Sequence, residues 1–295
     1  MSFFSWLRKP NAKRRTTRRA TATFRPRFEV LEGRDVPSTL TVTTTADSGP
    51  GSLRAEIAAA KNKDTILFAP SLDGQTITLT SGELDLTKTL TIQGPGAGQL
   101  TISGGGSSRV FEVASKTNVT LSGLTISNGS AGSGGAIYVD SRATLTISNS
   151  TLSSDTATYG GGIYNSGTLT VSNSTLSSYT ATHGGGIYNS FGTLTINNST
   201  LSSNTAADRG GAILNFDGTL TLTDCTLSSN TAYDGGALYT TSFGPTTVSG
   251  CTLSNNIAVD TGDAIYNAGG PLTVSNSDFV NNQIFGTYTD GGGNT

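Results

Sequence analysis

A block of about 25 residues recurs from residue 134 onward, and it constrains the fold more tightly than anything else in the sequence. Its opening reads GGAIY at 134–138, GGIYN at 161–165 and 185–189, GGAIL at 210–214, GGALY at 235–239 and GDAIY at 262–266. The aliphatic residue of that opening is Ile137, Ile163, Ile187, Ile213, Leu238 and Ile265, at spacings of 26, 24, 26, 25 and 27. A second stretch follows in each block: TLTISNSTL at 144–152, TLTVSNSTL at 168–176, TLTINNSTL at 193–201 and TLTLTDCTL at 219–227, with looser copies at 246–253 and 272–279. A repeat of this length is one supersecondary unit that buries its apolar face only by stacking on its neighbours.

Within the block, Thr168 and Thr170 alternate with Leu169 and Val171, the period of two of a half-buried strand. Gly, Asn and Ser separate the apolar positions, and no block holds ten residues of helical periodicity. Three short strands per block, without hairpin signals, describe one coil of a single-stranded right-handed parallel β-helix, an all-β fold. About nine coils are expected from residue 65 onward, giving an axis of about 40 Å at the usual strand spacing.

One column supports this reading. Asn149, Asn173, Asn198, Asp224, Gly250 and Asn276, with Gly123 before them, hold the same place in successive blocks. These residue types tolerate positive φ, so the column predicts a one-residue bend, with amides free to bond along the stack. Ser150, Ser174, Ser199, Cys225, Cys251 and Ser277 come next, small enough for a tight inward corner. Cys225 and Cys251 are then one coil apart, close enough for a disulfide but with both side chains pointing the same way. Stacked free thiols are the expectation.

The ends need lids, because open sheet edges template aggregation. TLTVTTT at 39–45 reads as a strand, SLRAEIAAAK at 52–61 as a short helix with Leu53, Ile57 and Ala60 on one face, and DTILF at 64–68 as a strand. Phe279, Ile284, Phe285 and Tyr288 are the plug candidates at the far end. The expected division is a basic segment 1–38, an N-terminal cap 39–70, coils 71–285 and a loose tail 286–295.

Charge is unevenly spread. Residues 1–34 carry ten of the 18 Lys and Arg and only two acids, while the remainder carries eight basic and 18 acidic side chains. The basic arm runs from Arg8 to Arg34 without an apolar core, so it reads as a targeting segment rather than a signal peptide or a specific nucleic-acid reader. No apolar run is long enough to span a bilayer.

The GGAI openings, with Phe279-Val280-Asn281-Asn282 and the variants at 201–204 and 227–230, resemble the polymorphic outer-membrane-protein repeat of chlamydial adhesins. The whole resembles the pectin-lyase-like β-helix. TVTTTADSGPGSLRAEIAAAKNKDTILF at 41–68 resembles the module named for a Cys-Ser-Leu-Arg-Glu-Ala core, with Gly51 in place of the Cys. RPRFEVLEGRDVPS at 25–38 resembles the sorting segment of planctomycete surface proteins. These resemblances imply export to the surface or the extracellular space.

Candidate chemistry is sparse. Asp208, Asp234, Asp260 and Asp263 precede or overlap the Gly pairs of three successive coils, with Arg209 beside them. They read either as Ca²⁺-binding carboxylates or as solvated bend residues. Tyr138, Tyr164, Tyr188, Tyr239 and Tyr266 form an outward column interrupted by Leu214, suited either to sugar rings or to bracing the coils. Thr144/Thr146, Thr168/Thr170, Thr193/Thr195 and Thr219/Thr221 make two further outward columns, resembling the TxT face of β-helical ice-binding proteins but also ordinary for strand surfaces. His183 reads as a solvated loop residue without a partner. No catalytic, cofactor or metal residue is assigned. The expected function is a non-catalytic adhesion or carbohydrate-binding module, with polysaccharide or another surface protein as partner and end-to-end self-association at the open terminus. A polysaccharide lyase or glycoside hydrolase on the same fold is the alternative.

Overall fold

The computed structural model describes residues 36–241 and 243–295. The basic arm, including Arg8 to Arg34, and most of the sorting-like segment lie outside the described residues. From residue 37 on the chain is one right-handed parallel β-solenoid. Its strands form a long wall of eleven, two walls of nine and a short wall of six, and each strand pairs in parallel with its counterpart one coil away. Among the described residues no helix is long and apolar enough to cross a membrane.

The alternation read from the sequence fixes the inside of the long wall. Leu145 pairs with Leu169 and Leu169 in turn with Leu194, as Ile147 does with Val171 and Val171 with Ile196, all fully buried. Ile163 stands between Ile137 and Ile187 on another wall. Outward, every strand of the long wall gives a threonine to one unbroken column from Thr39 to Thr289. A second threonine column runs from Thr76 to Thr252 on the adjoining nine-stranded wall. Threonine on two walls is this solenoid's general outward residue, which suits a pleated, half-exposed surface.

The coil has four walls, not the three read from the sequence. The bend column is where expected: Asn149, Asn173, Asn198 and Asp224 have φ of 50°, 49°, 46° and 52°. A second bend follows five residues later, with Ser154, Ser178, Ser203 and Ser229 also at positive φ. It turns the next residues into strands of their own, such as Thr156–Tyr159 and Thr180–His183, and these build the short wall.

The amide ladders also lie elsewhere than expected. Asn149, Asn173 and Asn198 are exposed on the outside of their bend. The bonded amides are at the buried residue after the second bend. There Asn204, Asn230 and Asn256 each donate Nδ2–H to the Oδ1 of the asparagine one coil on, at 3.0, 2.9 and 2.8 Å. A second ladder links Asn165, Asn189 and Asn215 at 2.7 Å per step. The serine column is inward as read: the Ser174 hydroxyl accepts from the Ser150 N–H at 3.2 Å and donates to its own Ser172 carbonyl at 2.7 Å. Cys225 and Cys251 hold that position as free, buried thiols. Neither should react with an aromatic disulfide reagent in the native protein, and both should become titratable on unfolding. Labelling of either thiol without unfolding would contradict this packing.

The glycine pairs mark a corner where coils approach too closely for a side chain. A Cβ on Gly161 would sit 2.4 Å from the Gly185 carbonyl oxygen. The next position is alanine in four coils but Gly162 here, because the ring of Tyr179 lies where a methyl would go, 2.6 Å from the Cβ site.

At the N-terminal end the strand Thr39–Val42 pairs with Asp64–Phe68, and the helix Leu53–Ala59 closes the bore with Leu53 and Ile57 buried. The Ser52 hydroxyl caps the helix by accepting from the Ala55 N–H at 3.2 Å. Arg54 ties it down, bonding Asp47 at 2.8 Å and the Glu83 carbonyl at 2.7 Å. At the other end Phe279 and Ile284 pack on the core, while Phe285 stacks on Tyr266 instead of plugging the bore. The final segment, read from its glycines as a loose tail, makes the strand Thr289–Asp290 against Thr273–Val274, and Asn294 Oδ1 accepts from the Ser277 N–H at 3.0 Å.

Candidate functional site

The aromatic side chains concentrate on the nine-stranded wall that contains Ile163, hereafter the tyrosine wall. Its outward column runs Asp85, Glu112, Tyr138, Tyr164, Tyr188, Leu214, Tyr239, Tyr266 and Phe285, each paired in register with the next. The tyrosines stack face to face, with centroids 5.1 Å apart for Tyr138–Tyr164, 5.4 Å for Tyr164–Tyr188 and 4.8 Å for Tyr239–Tyr266. Leu214 divides them into two stacks, and each stack begins under a guanidinium. Arg109 lies over Tyr138 and Arg209 over Tyr239, both 5.1 Å from the ring centre. Arg209 thus fills the space that the missing tyrosine at Leu214 leaves.

This geometry changes what the column can do. The ring faces are closed by one another, by the two arginines and by Phe216 and Phe285. The stack therefore braces the coils through face contacts and presents only ring edges and hydroxyls outward. Burial, reinforced by the neighbouring phenols Tyr164 and Tyr159, pushes the Tyr188 hydroxyl up to about 12, so it remains a hydrogen-bond donor in any ordinary solution.

Two corners flank this wall. On the side of the short wall, His183 does have a partner: its Nδ1 lies 3.1 Å from Asp208 Oδ2, and its ring stacks on Tyr159 at 5.3 Å. Sequence reading missed this because the strand Thr205–Arg209 carries a bulge that sets Arg209, not Asp208, opposite His183 in the backbone register. Tyr159 in turn packs edge-on against Tyr188 at 5.4 Å. On the side of the long wall, Phe191 packs edge-on against Phe216 at 5.4 Å, and Phe216 stacks on Tyr188 at 6.2 Å.

The four aspartates do not converge. Asp208 faces His183, Asp234 accepts from the Thr261 hydroxyl at 3.2 Å, Asp263 accepts from the Ala258 N–H at 2.8 Å, and Asp260 is exposed. Asp208 and Asp234 each bond to a neighbouring coil and Asp263 holds its own bend, which favours the structural reading of that set. The one acidic triad among the described residues is Glu83, Asp85 and Glu112, whose ligand atoms all lie within 4.8 Å of one another. Arg109 pairs with both Glu83 and Glu112, so two of the three charges are already countered by the protein itself. The triad was hidden in the sequence because its members lie on two coils; what reveals it is their place before Tyr138 in or beside the same outward column.

Residues 135–295 match a family model described as a right-handed β-helix region. Among solved structures the chain is similar to pectate lyase Pel9A, with 15% identity and a TM-score of 0.54 over 89% of this chain and 80% of that one. It is also similar to the alginate lyase AlyGC of the PL6 family, with 12% identity and a TM-score of 0.47 over 82% of this chain and 35% of that one. A search of curated protein sequences gives no match.

Proposed function

The chain belongs to the right-handed β-helix family, and from that premise we propose that it is a secreted or cell-surface module that binds carbohydrate along its tyrosine wall without cleaving it. The observation that carries the reading is the segregation of surface chemistry. Rings, phenol hydroxyls and the His183–Asp208 pair gather on one wall and its two corners, while the long wall and its nine-stranded neighbour offer hydroxyls. Ring edges, exposed rings and fixed polar groups in one strip are what sugar recognition uses. The GGAI openings and the segment 41–68 support surface display.

A lyase reading has the His183–Asp208 pair in its favour. Elimination from a uronate would need a base free to reach the sugar and a cation free to hold the carboxylate. His183 is held between Tyr159 and Asp208, and Arg209 lies over Tyr239 and 3.8 Å from Asp208. The test is a glycan array probed with the full chain, followed by product assays on each glycan retained, with and without calcium. Retention without unsaturated or reducing products is expected. Failure to retain any glycan, or turnover abolished by His183→Gln, would overturn the proposal.

A further inference from the structure

We infer that the corner between the tyrosine wall and the long wall, carrying Phe191, Phe216 and Phe243, is the ring-stacking part of this surface, and that it takes an uncharged polysaccharide. The inference rests on the carbohydrate-binding reading and narrows it. The tyrosine faces are closed, so a sugar that stacks needs rings elsewhere. Phe191 and Phe243 supply them, with 69% and 80% of their surface exposed. They sit at the same corner two coils apart, a separation of about 10 Å along the axis. An extended β-linked glycan lying along the corner would present alternate pyranose rings to the two side chains. Phe216, on the coil between, supports the platform by contacts to both Phe191 and Tyr188.

Strand preference does not explain Phe191. Its φ is +57°, a conformation that costs a bulky side chain, and its N–H donates to the Phe216 carbonyl at 2.9 Å. Asp217 fills the same role one coil on, with φ +53°. A large exposed aromatic ring held in a strained turn marks a contact surface more than a packing need.

Charge decides the ligand class. Asp217 borders the platform, held by the Thr241 hydroxyl, which donates to it at 2.5 Å. The arginines of the tyrosine wall lie over Tyr138 and Tyr239. A polyuronate stacked on Phe191 and Phe243 would bring its carboxylates toward Asp217, and like charges so placed repel. The exposed cations of this corner, Arg142 and Lys116, lie two and three coils before Phe191, outside that span. Neutral pyranoses meet apolar rings and the hydroxyls of Thr193 and Thr219, which open the neighbouring long-wall strands.

The test is calorimetric titration of the full chain with neutral β-linked hexasaccharides (cellohexaose, xylohexaose and mannohexaose) and with hexagalacturonate. The wild-type chain should bind at least one neutral oligosaccharide and bind hexagalacturonate more weakly than it. Phe191→Gly combined with Phe243→Ala should weaken neutral binding by about tenfold or more. The melting temperature of Phe191→Gly should not fall, since glycine relieves the positive φ. Unchanged affinity in the double variant, or tighter binding of hexagalacturonate, would overturn this inference and leave carbohydrate binding standing. If the wild-type chain binds no glycan of the array or of this series, the broader reading fails and takes this one with it.

Discussion

Replacing Asp155 with asparagine is expected to stabilise the protein at every pH and to remove most of the fall in its stability between about pH 4 and pH 8. Asp155 occupies the first fully inward place of the column that continues through Tyr179, Asn204, Asn230, Asn256 and Asn282. It is wholly buried. Its Oδ1 accepts from the Gly129 N–H at 2.5 Å, and its Oδ2 has no partner. Burial pushes its pKa up from 3.8 to about 8, against the smaller pull of the Gly129 bond. A carboxyl raised in the native state is neutral there while the unfolded chain is ionised, so its penalty is absent below the unfolded pKa. The penalty grows as pH rises and levels off above the folded value. An asparagine cannot ionise. Its Oδ1 would keep the Gly129 bond, and its Nδ2–H would reach toward the Ile126 carbonyl, as Asn204 does toward Leu176 at 3.3 Å and Asn230 toward Leu201 at 3.0 Å. The gain should be about 6 kcal/mol at pH 9 and about 1 kcal/mol near pH 4. Denaturant titrations of both proteins across this range check it, and parallel pH profiles for wild type and variant would sink it. The opposite slope at lower pH belongs to Asp47. Burial raises its pKa, but the Ser81 hydroxyl, Arg54 and the Thr80 N–H outweigh that and hold it at about 2. Its contribution is present above 3.8 and is lost as pH falls toward about 2.

Asn230→Ala should cost about 3–5 kcal/mol, a large effect for a polar residue. Asn230 Oδ1 accepts from both the N–H and the Nδ2–H of Asn204, each at 3.0 Å. Its Nδ2–H donates to the Leu201 carbonyl at 3.0 Å and to Asn256 Oδ1 at 2.9 Å. Alanine removes all four bonds and leaves their partners in a dry interior, where an unpaired polar group costs far more than a made bond gains. Asn230→Asp supplies a control of different character. It keeps an acceptor for Asn204 but adds a buried carboxyl, so its deficit should grow with pH as the wild-type penalty at Asp155 does. A loss under 1 kcal/mol in Asn230→Ala, measured by urea unfolding, would mean that the amide column is ornamental.

What the sequence revealed and what it hid follow from how each signal is written. The apolar wall positions were legible because Leu169 and Val171 alternate with threonine, a pattern that only one pairing register can bury. The first bend was legible because Asn, Asp and Gly advertise positive φ. The second bend was not, since Ser154, Ser178 and Ser203 adopt the same conformation without belonging to the residue types that usually do. The buried ladder was mislaid by one bend for the same reason: asparagine marks both a turn and an amide column, and period alone does not separate them. At the candidate site the tyrosine column was legible, but not that its faces are closed, because ring stacking depends on a coil spacing that leaves no trace within one block. The His183–Asp208 pair was invisible because a bulge offsets the two from simple register.

Every placement above depends on each block closing one rung in register, and distances between spin labels on the outward threonine column test that claim most directly. With Cys225 and Cys251 replaced by serine, which other rungs of their own inward column already carry, labels would be attached at Thr146 and Thr273 in one protein and at Thr91 and Thr273 in another. Five rungs separate the first pair and seven the second. Pulsed dipolar spectroscopy should therefore return backbone separations of about 24 Å and about 34 Å. Separations that fail to grow in proportion to the number of rungs would contradict the register, and with it every column described here.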